Sequence, residues 1–262
     1  MDRTLLVIST ICFLVGLAYT MHALGARVYH HSRLNFFAIL TGFAFQTAFL
    51  YERGKAVGRC PLTNLFEVLV FLSWAMVLFY LVIGPTYRLS LLGAFTSPLV
   101  FVFQFAALLA PGLDAAPPPR SVPNPWMELH AAVSVVAYGA FALAGIAGVM
   151  YLVQERQLKT HHIRSIFYHL PPIRDLAGAN RRLMFAGLAL LTVGIAAGFG
   201  IGQWLAHAGW SFAVWLIYAA ILTAEWRHRL SPRRGAWLSV AAFGVVLGTL
   251  WAIHFLSSAR SV

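Results

Sequence analysis

Long apolar runs separated by short polar breaks are the dominant pattern of this chain. Each run holds roughly 20 residues, the length that a helix needs to cross about 30 Å of hydrocarbon. The runs are too long for barrel strands, and lipid offers backbone groups no hydrogen-bond partner, so each is predicted to be an α-helix. The pattern predicts eight such spans: 4–24, 34–51, 62–83, 89–110, 127–153, 183–206, 210–224 and 236–257.

The composition also indicates that the chain folds in a lipid bilayer. Of the 262 residues, 60% are hydrophobic and only 10% are charged, whereas about 25% of a soluble domain is charged. The longest polar break, 154–182, is too short to bury a core of its own. The whole chain, 1–262, is therefore interpreted as a single transmembrane domain. Its predicted fold class is all-α: a polytopic helical membrane bundle of about eight spans.

The basic residues predict an orientation. Of the 19 Lys and Arg, 13 fall in the breaks that follow spans one, three, five and seven. The positive-inside rule places those breaks in the cytoplasm, so both termini are expected outside. The net charge of +11 then reflects this bias and attraction to the anionic headgroups of the lipid bilayer. No soluble basic module is present, so nucleic acid is not expected as a partner.

Polar residues inside the spans are candidate sites, because an unpaired charge at mid-bilayer costs roughly 2.5–3.5 kcal/mol. Glu67 shares one helix face with Asn64 and Trp74, which are spaced at helical intervals. Two interpretations stay open. Glu67 either lines an outward-opening cavity and pairs with an Arg or a ligand group, or takes a packing hydrogen bond near the outer interface. Gln46 and Gln104 are uncharged and are predicted to hydrogen-bond between helices.

Three histidines are predicted near the outer surface: His130, His207 and His254. Imidazole is a common metal ligand and an axial ligand of haem iron. Trp126 lies one helical turn before His130, and small residues follow His130 in a stripe that ends near Gly148. The stripe leaves room for something flat or for a closely packed helix. Spacing alone favours the packed helix.

Four segments resemble, in the right order, the cytochrome c assembly membrane family, with its CcsA/ResC-like and HemX-like members. They are RCPLTNLFEVLVFLSW; WMELHAAVSVVAYGAFALAGIAGVMYLVQERQLK; LPPIRDL followed by LTVGIAAG; and VWLIYAAIL. The second segment is similar to that family's signature helix, with W-x-x-x-H at its start and Y-L-x-Q-E-R-x-L-K at its end. The matches span about 60–225, and the family core is expected over about 60–258.

The resemblance implies a multi-pass protein of the cell inner (plasma) membrane that binds haem at its outer face and takes part in cytochrome c assembly. His130 matches the family's outer histidine, an axial ligand of haem iron, and haem b is the implied cofactor. Trp126, Glu67, His207 and His254 complete the candidate cofactor-binding set. A CcsB-like subunit, or another membrane or cytoplasmic partner, is also implied.

The chain departs from the CcsA pattern at two points. The segment GQWLAHAGWSF contains Trp204 and Trp210 but no tryptophan-rich WxWD loop, and Thr223 stands where CcsA-type proteins have a membrane histidine. We therefore expect an accessory haem-handling protein nearer the HemX-like and YpjD-like members, rather than a complete haem lyase. HemX-like members imply a role in regulating haem biosynthesis. No paired carboxylates, nucleophile–base pair or phosphate loop is present in the sequence, so an enzyme is not expected.

Two other interpretations differ in class. The chain could be a non-haem membrane scaffold or regulatory subunit that docks a partner through the 154–182 segment, which is rich in Arg and His. It could instead be a small-solute permease. The permease is disfavoured because the two halves contain no interrupted helices at matching positions.

Overall fold

The computed structural model describes residues 2–25, 33–86, 90–109, 114, 124–160, 172–201 and 204–259. In this part of the chain the regular structure is helical, with eight α-helices and a short 3₁₀ helix, Phe199–Ile201. The α-helices are α1 (Asp2–Gly25), α2 (Arg33–Val57), α3 (Leu65–Thr86), α4 (Ser90–Leu109), α5 (Pro125–Thr160), α6 (Ile173–Gly198), α7 (Trp204–Trp226) and α8 (Pro232–Ala259).

One α-helix coincides with each of the eight apolar spans, so the all-helical fold class is confirmed. Within the described residues, five helices are long and apolar enough to cross a membrane. These stretches are Arg3–His22, Leu34–Val57, Leu65–Ile83, Pro125–Thr160 and Ile173–Gly198. A further apolar stretch, Phe95–Leu109, is shorter. The chain is thus a multi-pass helical membrane protein.

Two helices begin well over one turn earlier than the apolar runs predict. α6 begins at Ile173 rather than 183, and α7 begins at Trp204 rather than 210. In α6 the extra turns carry polar residues such as Arg174 and Arg181, which hydropathy assigned to a loop. Pro172 occupies the N-cap position of α6, where its missing N–H does no harm because the first helical N–H groups lack partners anyway.

α5 is the central helix of the bundle. Every residue from 137 to 148 is buried, and a helix that is apolar and buried on all sides must have protein neighbours on all sides. Close approach is possible because small residues meet the neighbours. A methyl group added at Gly139 would lie 2.6 Å from the Ala75 side chain of α3, and one at Gly148 would lie 3.0 Å from the Ala236 carbonyl oxygen of α8.

Buried amides join the helices. Asn180 on α6 donates to the Ala144 carbonyl oxygen of α5 at 2.6 Å and to Ser239 Oγ of α8 at 2.8 Å. Gln46 on α2 donates to the Val70 carbonyl oxygen of α3 at 2.9 Å. The side-chain oxygen of Gln104 on α4 accepts a hydrogen bond from a threonine hydroxyl of α1. The sequence prediction for the two glutamines is confirmed, and these bonds orient the helices that form the site.

Candidate functional site

His130 lies on the second turn of α5, where α5 packs against α6. Its side chain is buried, with 8% of its surface exposed. The ring nitrogen Nδ1 lies 2.7 Å from the carbonyl oxygen of Gly194 on α6. A carbonyl can only accept, so Nδ1 carries the proton and donates it. The hydrogen bond therefore holds the imidazole in one orientation and one tautomer.

In the neutral ring, that tautomer leaves the other nitrogen, Nε2, with a free lone pair. No described residue is hydrogen-bonded to His130 Nε2. Metal-ligating histidines usually donate their other N–H to a backbone carbonyl or a carboxylate, which fixes the ring and raises its basicity. The His130–Gly194 pair thus has the arrangement of a histidine ligand supported by a second residue.

Trp126 flanks His130 on the same side of α5. The Trp126 side chain is 52% exposed, and its ring lies against the 3₁₀ helix, where a methyl group added at Gly200 would be 2.8 Å from the ring. Its backbone N–H is capped by Asn124 Oδ1 at 3.1 Å. α5 therefore starts with an indole at the rim and an imidazole one turn deeper.

Neighbouring helices fill the small-residue stripe beneath His130. Gly145 faces the ring of Phe243 on α8, and a methyl group at Gly148 would come within 2.9 Å of Ser239 Oγ. Of the two occupants that the sequence left open, the packed helix is the one present along this part of α5. A flat ligand would have to sit above the stripe, at the level of His130 and Trp126.

Three polar atoms on α5 and α7 are buried without a hydrogen-bond partner among the described residues. They are Ser134 Oγ on α5, and Trp210 Nε1 and Tyr218 OH on α7. Of these, Ser134 is the one beside His130: it lies one turn further along α5 and faces Gly194 of α6, where an added methyl group would be 2.9 Å from its Oγ. Buried polar groups are nearly always satisfied, so the open Ser134 hydroxyl indicates that water or a polar ligand group belongs next to His130.

The chemistry of the donor set suits haem better than a free metal ion. In the described part of the chain, no group of three or more His, Cys, Asp or Glu side chains could hold a metal ion. A haem iron already has four ligands in its macrocycle and needs only one or two more from the protein. One oriented imidazole beside an indole fits that need.

Glu67 lies in a separate cluster, the Arg53 network, which we define as Arg3, Arg53, Asn64, Glu67 and Asp114. Glu67 is fully buried, and Arg53 Nε donates to its Oε1 at 2.8 Å. Asn64 Oδ1 caps α3 by accepting from the Glu67 N–H at 2.9 Å. Arg53 also bonds Asp114, which in turn accepts from Arg3 at 2.9 Å.

Both oxygens of the Glu67 carboxylate have donors. Thr63 donates to Oε2 twice, from its N–H at 2.8 Å and from its hydroxyl at 2.6 Å. No described contact joins Glu67 to His130. Of the two interpretations of Glu67, the structure contains the pairing with an arginine, and that pairing serves to tie α2, α3 and Asp114 together.

Cys60 lies beside the Arg53 network in the loop between α2 and α3. Its backbone N–H donates to Glu128 Oε2 of α5 at 3.3 Å. Burial, and then the negative charges of Glu128 and Glu67, raise the pKa of the Cys60 thiol to about 11. This thiol is therefore protonated and weakly nucleophilic at neutral pH.

Two predicted ligands fall where the structure gives no side-chain account. The backbones of His207 and His254 belong to α7 and α8, but their side chains lie outside the described residues. His207 is thus on the first turn of α7 rather than in a loop. Thr223 is described, and its hydroxyl donates to the Ala219 carbonyl oxygen at 2.7 Å. Much of the 154–182 segment, residues 161–171, also lies outside the described residues.

Sequence reasoning missed four residues that shape this end of the bundle. The Gly194 carbonyl has no signature in a sequence, because any residue has a carbonyl. Arg53 could have been paired with Glu67 and Asp114, since both acids are predicted to lie at or near span ends on the same expected side. Glu128 was an overlooked acid two residues before His130.

Comparison with known proteins gives consistent matches. A family model described as Cytochrome C assembly protein matches residues 62–258. Cytochrome c biogenesis protein CcsA of Guillardia theta is 27% identical over 236 residues, which cover 80% of this chain and 78% of the relative. Protein HemX of Brevibacillus brevis is 29% identical over 172 residues, covering 66% and 63%. A CcsA of Synechococcus elongatus is 26% identical over 251 residues, covering 76% and 77%.

Proposed function

The chain belongs to the cytochrome c assembly protein family, and on that premise we propose that it is a haem-handling protein of the inner (plasma) membrane. It acts in cytochrome c assembly or in the regulation of haem biosynthesis. The relatives named Cytochrome c biogenesis protein CcsA support the first process, and the second rests on what the resemblance to HemX-like members implies. In both, the protein's own contribution is to hold haem at one end of the helical bundle.

The observation that carries the proposal is the geometry of His130. A buried imidazole with Nδ1 bonded to the Gly194 carbonyl oxygen at 2.7 Å offers Nε2 as a ligand without any rearrangement of the ring. Haem b, when bound, would supply an iron centre that needs one or two ligands from the protein. His130 would supply one of them, and the indole of Trp126, one turn away, would help to exclude water.

His207 or His254 would supply a second ligand from a neighbouring helix. Both histidines belong to helices that run beside α5 and α6 in the bundle. The Arg53 network supports the site from a distance by fixing the outer ends of α2 and α3, without touching haem. A CcsB-like membrane subunit, which the family resemblance implies, would supply a ligand or cover the haem.

The test is the haem content of purified protein. Protein is purified in mild detergent from haem-replete cells, and the Soret absorbance is measured per protein for wild type, His130→Ala and the control His22→Ala. His22 is exposed on α1. We expect a b-type spectrum in wild type and His22→Ala, and loss of most of the Soret band in His130→Ala.

Rescue separates ligation from folding. His130→Gly protein supplied with imidazole should regain the Soret band, because the free imidazole replaces the missing ring. If His207→Ala or His254→Ala lost haem and His130→Ala kept it, the iron ligand would be reassigned to that other histidine and the proposed function would stand. Wild-type protein that carries no haem and takes up no added hemin would refute the proposal and favour the non-haem scaffold.

A further inference from the structure

A cavity lies at the end of the bundle opposite His130. Its volume is about 450 Å³, and it is bounded by the end of α5, the first turns of α6, the C-terminus of α7 and the start of α8. Tyr151, on its wall, follows His130 by 21 residues on α5, which corresponds to roughly 31 Å along the helix. That distance equals the thickness of a bilayer's hydrocarbon core, so the cavity lies at the other membrane surface.

The charges that line this cavity are mainly positive. Arg174 and Arg181 are two turns apart on α6, so both point from the same face, and His228 lies across from them after α7. Glu225 is the one acid among the lining residues. Its carboxylate packs onto the backbone of α8, where a methyl group at Gly235 would overlap its Oε1. The positive charge of Arg174 and Arg181 therefore exceeds the negative charge of Glu225 in the cavity.

The surroundings add two features that suit an anion. The N-cap of α6, Pro172, makes no side-chain hydrogen bond, so the first N–H groups of α6 add partial positive charge beside Arg174, which Asp175 in the same turn offsets in part. Trp226 lines the cavity and is 82% exposed, as is typical of an indole at the headgroup level of a membrane. Basic pockets between helices at a membrane surface are where phosphate headgroups bind.

We propose that this cavity, between Arg174 and Arg181 of α6 and the α7–α8 turn, is a binding site for a phosphate group. Arginine recognises phosphate through paired, charge-assisted hydrogen bonds. The phosphate belongs either to an anionic lipid headgroup or to a free anion, and the experiment below distinguishes the two. The site is independent of haem, since it lies at the other end of α5.

Gly178 offers a clean way to block the cavity. It lines the space on α6, and a methyl group added there meets no atom within 4 Å. Gly178→Leu should therefore fill the cavity without displacing a helix. Gly244→Leu is the matched control, because Gly244 is also a helical glycine with nothing within 4 Å, but it lies on α8 outside the cavity.

The experiment is native mass spectrometry of the full chain in a nonionic detergent, titrated with phosphatidylglycerol or phosphatidylcholine. Wild type and Gly244→Leu should bind phosphatidylglycerol in preference to phosphatidylcholine, because the phosphate of phosphatidylcholine carries a cationic choline that Arg174 and Arg181 repel. Arg174→Gln and Arg181→Gln should each weaken phosphatidylglycerol binding about tenfold or more, the usual effect of losing a charged hydrogen bond. Gly178→Leu should weaken it as well, because the leucine side chain occupies the space of the headgroup. Glu225→Gln should tighten it, because the repelling carboxylate is removed.

Competition with inorganic phosphate identifies the source. If inorganic phosphate displaces phosphatidylglycerol at millimolar concentration, the cavity recognises the phosphate alone and a free anion can fill it. If it does not, the lipid's acyl chains contribute and the headgroup is the source. Equal binding of the two lipids, unchanged binding in Gly178→Leu, or weaker binding in Glu225→Gln would each overturn the proposal. His130→Ala should leave all these values unchanged.

Discussion

Glu67 and His130 are both buried, titratable side chains at the same end of the bundle, but their hydrogen bonding differs. Glu67 has donors on both carboxylate oxygens, from Arg53 and Thr63. His130 uses one ring nitrogen for the Gly194 carbonyl and has no described partner for the other. Ser134, one turn further along α5, also lacks a partner for its hydroxyl.

The comparison suggests how to separate structural from functional polar groups in a membrane bundle. A buried group whose hydrogen bonds are all made within the protein stabilises the fold and has nothing left for a ligand. A buried group that is held firmly by one bond and left open at another atom is arranged to bind something. The largest effects on stability should therefore come from the Arg53 network, and the largest effects on haem from the His130 corner.

Arg53→Met should give the largest loss of stability. Its removal leaves the Glu67 carboxylate buried without its countercharge, and breaking such a pair costs about 3 kcal/mol or more. The measurement is thermal unfolding in detergent. Lys55→Met is the matched control on the same helix, because the Lys55–Glu52 pair is exposed and 3.7 Å long and should contribute little to stability. Equal losses in the two variants would contradict a structural role for Arg53.

Gly194→Ala should have an intermediate effect that combines stability and haem content. A methyl group there would lie 2.9 Å from Ser134 Oγ, so α5 and α6 must separate slightly. We expect a loss of about 1–2 kcal/mol from overpacking and a lower Soret absorbance, because the His130 to Gly194 hydrogen bond lengthens. Gly244→Ala, which meets nothing within 4 Å, should change neither quantity. Full haem content in Gly194→Ala would show that the hydrogen bond does not orient the ligand.

The smallest expected effect is that of Glu128→Gln on the alkylation rate of Cys60. Its pKa of about 11, against an ordinary value of 9.0, lowers the thiolate fraction near pH 8 about a hundredfold. In a Cys12→Ser background, alkylation of Cys60 should be slow at pH 8 and should keep rising through pH 10. Glu128→Gln should speed it modestly by removing a negative charge. If the alkylation rate instead levelled off near pH 9, the side of the α2–α3 loop that carries Cys60 and faces the Arg53 network would be open to water.

Much of the fold followed from hydropathy, because lipid leaves a long apolar run no alternative to a helix. All eight helices were predicted in this way, and four short segments predicted the family that the matching family model confirms. The start of α6 was not predicted, because this helix extends beyond its apolar run through the polar residues Arg174, Asp175 and Arg181. Hydropathy measures the solvent of a segment rather than its backbone conformation.

The candidate site was predictable only in part. The sequence pointed to Glu67 and His130, because a charge or an imidazole within or at the end of an apolar run needs an explanation. It could not show which partners they meet. The acceptor for His130 is a backbone carbonyl 64 residues away, and the stripe near Gly145 had two possible occupants until Phe243 was placed against it.

The central claim is that His130 binds haem while Glu67 stabilises the fold. It is tested most directly by measuring the Soret absorbance per folded protein for His130→Ala and Glu67→Gln, side by side, with unfolding midpoints for both. The account predicts that His130→Ala loses most of its haem with little change in the apoprotein's midpoint, and that Glu67→Gln melts at a lower temperature but keeps its haem. Retention of haem in His130→Ala together with its loss from folded Glu67→Gln would contradict the account.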